Sequence, residues 1–219
     1  MLNKSFARRI GKKLSKTSKD LIDQKLPLYT YSNQKINQRK KIFLEIGIGN
    51  GEHLINQMSL NPDNCYIAAE PYINGIAKFL KLSSEFSLEN FLIWNDDANQ
   101  LLKLLPNEKL SGIFILFPDP WNKKKYKKRR FLNKERLLEI KLKLLDLGFI
   151  IFASDIEEYF LQVKALCIED PNLTIVNSNF NEISYPGYIK TKYHQKALNN
   201  SSLVYYIYVI YNKRGTVFF

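Results

Sequence analysis

Between residues 117 and 130 the chain sets one carboxylate among rigid and cationic neighbours. The run is Phe117-Pro118-Asp119-Pro120-Trp121-Asn122-Lys123, followed at once by Lys124-Lys125-Tyr126-Lys127-Lys128-Arg129-Arg130. Proline fixes φ and restricts the residue before it, so Asp119 is expected in a stiff, non-helical loop. The apolar run Ile113 to Phe117 leads into that loop and reads as a strand. A fixed acid beside an indole suits a flat ring, and the basic run suits a polyphosphate. Together they point to chemistry on a nucleobase still attached to its nucleic acid.

A second set lies upstream. Glu45-Ile46-Gly47-Ile48-Gly49-Asn50-Gly51 closes a strand-like run with a glycine turn that lets backbone N–H groups approach a ligand. The spacing is not the Gly-x-Gly-x-x-Gly that presents a helix N-terminus to a dinucleotide pyrophosphate, which disfavours a nicotinamide oxidoreductase. Glu45 would repel a pyrophosphate but could hold an ammonium group, so S-adenosylmethionine is the expected cofactor. Glu70, after the next strand-like run, is placed to accept from both ribose hydroxyls. Asn95-Asp96-Asp97-Ala98 follows a third run; an acid there can accept from an adenine amino group, or can cap a helix. Three successive strands ending in acids is what a bound adenosine with an amino-acid arm requires.

For Asp119 the matching acceptor chemistry is N7 of guanine, which carries an in-plane lone pair and no proton. Methylation there needs no strong base and makes the ring cationic, a charge that a nearby carboxylate stabilises. A related loop with Asn or Asp, two prolines and an aromatic serves amino-directed methyltransferases; here the order is Pro-Asp-Pro-Trp. The alternative is a rigid turn with Trp121 as packing.

These residues need elements to position them. Strand-like runs occur at Ile42–Ile46, Cys65–Ala69, Phe91–Trp94, Ile113–Phe117 and Phe149–Ala153. Helix-length stretches follow each, near 51–60, 73–86, 97–105, 133–146 and 155–169. Apolar-throughout strands alternating with helices predict an α/β fold, a doubly wound, mostly parallel sheet. Leu173–Val176, a polar loop of about twenty-five residues and Leu203–Tyr211 predict an antiparallel C-terminal edge hairpin. Residues 1–41, with a break at Pro27, are expected as a basic N-terminal extension, and residues 42–219 as the main domain.

At 219 residues, 45% hydrophobic and 25% charged, the composition is that of a globular chain. The formal charge of +12 is concentrated: residues 1–41 carry +10 and residues 123–130 carry +7, leaving the remainder at −5. Such focusing fits a polyanionic partner, against the alternative of a solvated lysine-rich surface. Cys65 and Cys167 make neither a disulfide framework nor a metal set, and both are expected as buried hydrophobes in a reducing, cytoplasmic setting. No cluster has metal-ligand spacing. The longest apolar run, Leu203 to Tyr211, is nine residues, far short of the ~20 of a spanning helix. Residues 1–19 have the composition of a transit peptide as a lesser alternative. His53 is expected at the surface or as a cap, Trp94 in the core, and Tyr205, Tyr206, Tyr208 and Tyr211 as packing.

The Phe117–Trp121 stretch, Lys123, the run ending Lys128-Arg129-Arg130-Phe131, and Ser5-Phe6-Ala7-Arg8-Arg9-Ile10-Gly11 resemble the bacterial tRNA (guanine-N7-)-methyltransferase family. The resemblance covers most of the length. It implies a class I methyltransferase fold of seven strands, with S-adenosylmethionine at the carboxyl edge and guanine-46 of the tRNA variable loop as target. It implies cofactor contacts from Glu45, Gly47, Gly49, Gly51, Glu70 and Asp97, with Asp119 catalytic and cofactor-adjacent. Lys123, Asp155 and the loop Thr191-Lys192-Tyr193-His194 correspond to substrate-contacting positions. Lys124, Lys125, Lys127, Lys128, Arg129 and Arg130 would hold tRNA phosphates. Family members usually read Thr-Lys-Phe-Glu where this chain has Thr-Lys-Tyr-His, so an acceptor is absent at His194. Neither a metal, a membrane nor an obligatory protein partner is implied, and the chain is expected as a monomer or homodimer. Rival expectations are the same fold acting on another RNA base or an exocyclic amine, and a non-catalytic RNA-binding protein.

Overall fold

The computed structural model describes residues 9, 11–37, 41–180, 185 and 187–215. Most of the Ser5–Gly11 segment therefore lies outside the described residues. The chain forms two compact units, Met1–Leu105 and Pro106–Phe219.

In the first unit β1 (Ile42–Ile46), β2 (Cys65–Ala69) and β3 (Phe91–Trp94) form in the sequence-predicted places. They are parallel in the order β3-β2-β1, with Ile42 opposite Cys65 and Tyr66 opposite Phe91. Helices α3 (Glu52–Leu60), α4 (Ile73–Glu85) and α5 (Ala98–Leu104) follow each strand. Leu54, Met58, Ile76, Phe79 and Leu80 pack from α3 and α4 onto Tyr66, Ala68, Phe91 and Ile93. That covering explains why these strands are apolar throughout.

Residues 1–41 hold more structure than a polar extension requires. Helix α1 (Lys16–Tyr29) is capped by Ser15, whose side chain accepts from Ser18 N. Its Leu21, Ile22, Leu26 and Tyr29 pack against the unit's core. Pro27 falls inside its last turn rather than breaking it. Tyr31 N then donates to Ile93 O at 2.8 Å, an isolated parallel bridge beside β3, and α2 (Asn33–Asn37) follows.

In the second unit β4 (Leu110–Leu116) pairs in parallel with β5 (Leu144–Ser154), and β5 pairs antiparallel with β7 (Tyr205–Tyr211). β6 (Leu173–Phe180) lies outermost, antiparallel to β7. α6 (Lys134–Lys143) and α7 (Glu157–Ile168) are the connecting helices. The order is β4-β5-β7-β6, so the expected edge hairpin is present and this unit pairs its strands both parallel and antiparallel; with the three of the first unit, seven strands form among the described residues.

Two expectations are corrected here. Helix α6 ends at Lys143, three residues before the expected boundary, because Leu144 enters the ladder opposite Leu110. The polar loop before β7 contains β6 as far as Phe180 and a further helix, α8 (Lys192–Asn199). Only His194 and Ala197 of α8 are buried, too thin an apolar stripe to show as periodicity. Cys65 and Cys167 are both buried and free, as expected. Among the described residues no helix is long and apolar enough to cross a membrane.

Candidate functional site

In the first unit, three acids stand where β1, β2 and β3 finish, on one edge because the strands are parallel. Glu45 is 3% exposed, and its Oε2 lies 2.7 Å from Nδ1 of His53, itself 1% exposed. The expectation of a surface His53 is thereby corrected. The second residue of α3 turns back under the glycine turn and fixes the Glu45 carboxylate. Spacing alone gave no sign of it, because the pairing depends on how tightly the turn folds.

Glu70 secures the same turn from the neighbouring strand. Its Oε2 accepts from Gly49 N at 2.8 Å and its Oε1 from Tyr72 N at 2.9 Å. Gly47 and Gly51 have φ of +76° and +81°. A Cβ on Gly51 would collide with the Phe79 ring, so glycine there is a packing demand. A Cβ on Gly47 would meet nothing within 4 Å: the turn leaves open space at the end of β1. Asp97 is buried and caps α5, accepting from Asn99 N at 2.9 Å and Asn99 Nδ2 at 3.2 Å. Asp96 takes the Arg9 guanidinium at 2.5 Å, while Arg9 O accepts from Ile73 N.

In the second unit the ladder runs one residue past β4, with Phe117 N donating to Ala153 O at 2.8 Å. Phe117 has φ of +52° and Trp121 of +45°, so two non-glycine residues in the left-handed region bracket Pro118-Asp119-Pro120. Each costs about 1–3 kcal/mol, strain that is retained where surrounding contacts impose it. Asp119 is solvent-accessible, yet nearby protein strips part of its hydration and raises its pKa above the usual carboxylate value. Asp155 follows β5 on the same edge of the parallel β4–β5 pair.

The Thr191–His194 segment is not a loop. Thr191 caps α8, its hydroxyl accepting from His194 N at 3.4 Å, and Lys192, Tyr193 and His194 form the first turn. Tyr193 is 54% exposed whereas His194 is 2% exposed. The His194 ring lies edge-on to Phe117 at 6.0 Å between centroids, and its Nδ1 is 2.8 Å from Tyr188 Oη. The structure thus brings α8 against the Asp119 loop, with His194 buried beside Phe117. Burial, then the Lys190 charge, lowers the His194 pKa and keeps the ring neutral near pH 7.

The basic run divides. Lys124–Arg129 form a 3₁₀ helix on which Lys124, Lys125 and Lys128 are exposed, as is Lys123 just before it. Lys127 is paired with Glu158, and the Arg129 guanidinium lies over Tyr126 and Trp121, 4.3 and 5.0 Å from the ring centroids. Arg130 is 1% exposed and bonded internally, so its expected role as a phosphate ligand is corrected: its charge faces no solvent.

Strands in this order with acids at their carboxyl ends define the class I methyltransferase fold. A 16S rRNA methyltransferase of known structure, KamB, superposes with a TM-score of 0.61 over 83% of this chain and 94% of its own, at 14% identity, a likeness of fold. The profile of a family described as putative methyltransferase matches residues 39–207. A tRNA (guanine-N(7)-)-methyltransferase of Wolbachia pipientis is 35% identical over 91% of this chain and 88% of its own length. A protein of Rickettsia felis named bifunctional methyltransferase is 48% identical over 94% of this chain, which spans only 39% of that relative's length. The chain belongs to the tRNA (guanine-N7-)-methyltransferase family.

Proposed function

We propose that the chain transfers the methyl group of S-adenosylmethionine to N7 of guanine-46 in the tRNA variable loop. The observation that carries this reading is the Asp119 loop. It presents an accessible, partly desolvated carboxylate on a backbone held rigid by two prolines and two left-handed residues. Relatives named tRNA (guanine-N(7)-)-methyltransferase support the choice of tRNA and of guanine N7.

The residues of the first unit fit the cofactor. Buried Glu45, fixed by His53, offers an acceptor to an α-ammonium group, and the open space at Gly47 admits a ligand beside the strand end. Glu70 would accept from ribose hydroxyls, and Asp97 from an adenine amine. When bound, the cofactor supplies an electrophilic methyl on sulfur. Held by Glu45, Glu70 and Asp97, its sulfonium would give up the methyl and keep the S–CH₃ electron pair, and a guanine N7 lone pair would accept the methyl with no proton to remove, leaving the purine cationic. Asp119 orients guanine through its N1–H and amino donors and offsets the charge as it develops. Asp155 and Thr191 help to clamp the base, and exposed Lys123, Lys124, Lys125 and Lys128 hold phosphates. Since nucleophile and donor are intrinsically matched, positioning supplies most of the acceleration.

The test is methyl-labelled cofactor with total tRNA, digested and read as nucleosides. N7-methylguanosine is expected, and its loss from a transcript with adenine at position 46. Asp119→Ala should retain cofactor and tRNA affinity while losing transfer by about 10²–10³-fold. Label on another base, or undiminished transfer by the variant, would overturn the assignment.

A further inference from the structure

Arg130 presents a physical puzzle. A guanidinium removed from water is costly unless its donors are matched, and this one ends a run of seven cations that could all have stayed solvated. Its contacts show where the compensation lies. Nε donates to Pro120 O at 2.8 Å, and Nη1 donates to Gln162 Oε1 at 2.7 Å. Its plane sits over the Tyr159 ring, 4.7 Å from the centroid, and Glu158 Oε1 lies 3.5 Å from Nη1. Tyr159 Oη in turn accepts from Leu132 N at 2.8 Å. Three residues of α7 thus grip Arg130, and Arg130 grips the carbonyl next to Asp119.

We propose that Arg130 is a positioning residue that fastens the Asp119 loop to α7 and so sets the height and direction of the Asp119 carboxylate. The bond to Pro120 closes the span from residue 120 to residue 130 at its base, with the exposed lysines of the 3₁₀ helix inside the closure. Proline stiffens the loop but cannot anchor it, having no N–H, so an external donor to its carbonyl is the available fastening. The planar fork matters: lysine could hold the charge but not both acceptors in one plane. This inference rests on the reading of Asp119 given above.

The experiment compares R130K and Gln162→Leu with the parent in single-turnover methyl transfer, cofactor calorimetry and tRNA binding across salt concentrations. R130K should slow transfer roughly ten- to a hundredfold through misplacement of the carboxylate. Cofactor affinity should stay within about twofold, and the slope of log Kd against log salt should not change. Gln162→Leu, which leaves Arg130 in place but removes one acceptor, should give a smaller loss of the same kind; it also serves as the probe if R130K folds poorly. A full rate in both variants would overturn the proposal. So would a salt slope lower by about one in a third variant, R130Q, which removes the charge and would then hold one fewer phosphate, or a fall in cofactor affinity in step with rate in both R130K and Gln162→Leu, the signature of a merely structural role. An inactive Asp119→Ala beside a fully active R130K would sink this inference alone; an active Asp119→Ala would sink the reading beneath it.

Discussion

Asp119 combines two properties that usually exclude one another, accessibility and incomplete hydration. Desolvation raises its pKa, so the folded chain binds its proton more tightly than the unfolded chain does. The sign follows: acidification through that window favours the native state, and the ionised carboxylate at neutral pH slightly opposes it. Asp119→Asn, of nearly equal shape and without charge, should therefore melt at or slightly above the parent's temperature at neutral pH. The parent should gain on the variant as pH falls and its own carboxyl protonates. The same variant should lose methyl transfer, because a neutral amide cannot balance a cationic purine. In the parent, the acid limb of the single-turnover rate should lie above the ordinary aspartate value of about 3.9. Melting curves and rates over a pH series check both halves. A variant that melts lower at neutral pH, or a parental rate that holds flat down to pH 4, would contradict the account. Glu45 illustrates the opposite strategy, a carboxylate taken out of water and given a fixed imidazole partner in His53.

At the scale of elements, α1 shows how a segment that reads as an appendage becomes part of a core. The Tyr29 ring stacks on Phe91 at 4.3 Å and 22°, and Tyr31 continues the contact through the main chain to Ile93. Tyr29→Ala should destabilise the fold by about 2 kcal/mol, less than a fully buried aromatic because Tyr29 is only partly buried. Leu28→Ala, one residue away at 66% exposure, should change stability by no more than about 0.5 kcal/mol. Urea unfolding of both variants decides it; equal shifts would mean that α1 does not pack as described. The parallel strands were legible because each is apolar throughout and followed by a helix. α1 was hidden by lysines on its outer face, and α8 by an apolar stripe reduced to Ala197 and a histidine. The early end of α6 was hidden because Leu144, Leu145 and Leu147 continue a leucine pattern that either helix or strand can use. Sheet pairing with Leu110 decides in favour of strand.

Over the whole molecule, the sequence announces a charge of +12 in two patches, but the fold withdraws part of it from any partner. Arg9 is paired with Asp96, Lys127 with Glu158, and Arg130 is buried, so net charge overstates what RNA can use. A count along the sequence could not separate these from Lys124, Lys125 and Lys128, because the distinction depends on acids and rings distant in the chain. The consequence is measurable. Removing one lysine that neutralises a phosphate should lower the slope of log Kd against log salt by roughly 0.7 to 0.9. Replacing Lys124, Lys125 and Lys128 together by alanine should lower the tRNA slope by about 2 to 3 and weaken binding most at low salt. Transfer at saturating tRNA should be retained, since these lysines hold the RNA body and not the reacting base. Lys127→Ala, whose charge is already engaged by Glu158, should move the slope by much less than any one of the three. Equal effects from all four lysines would show that the ion pair opens on binding. An unchanged slope in the triple variant would place the RNA elsewhere on the surface.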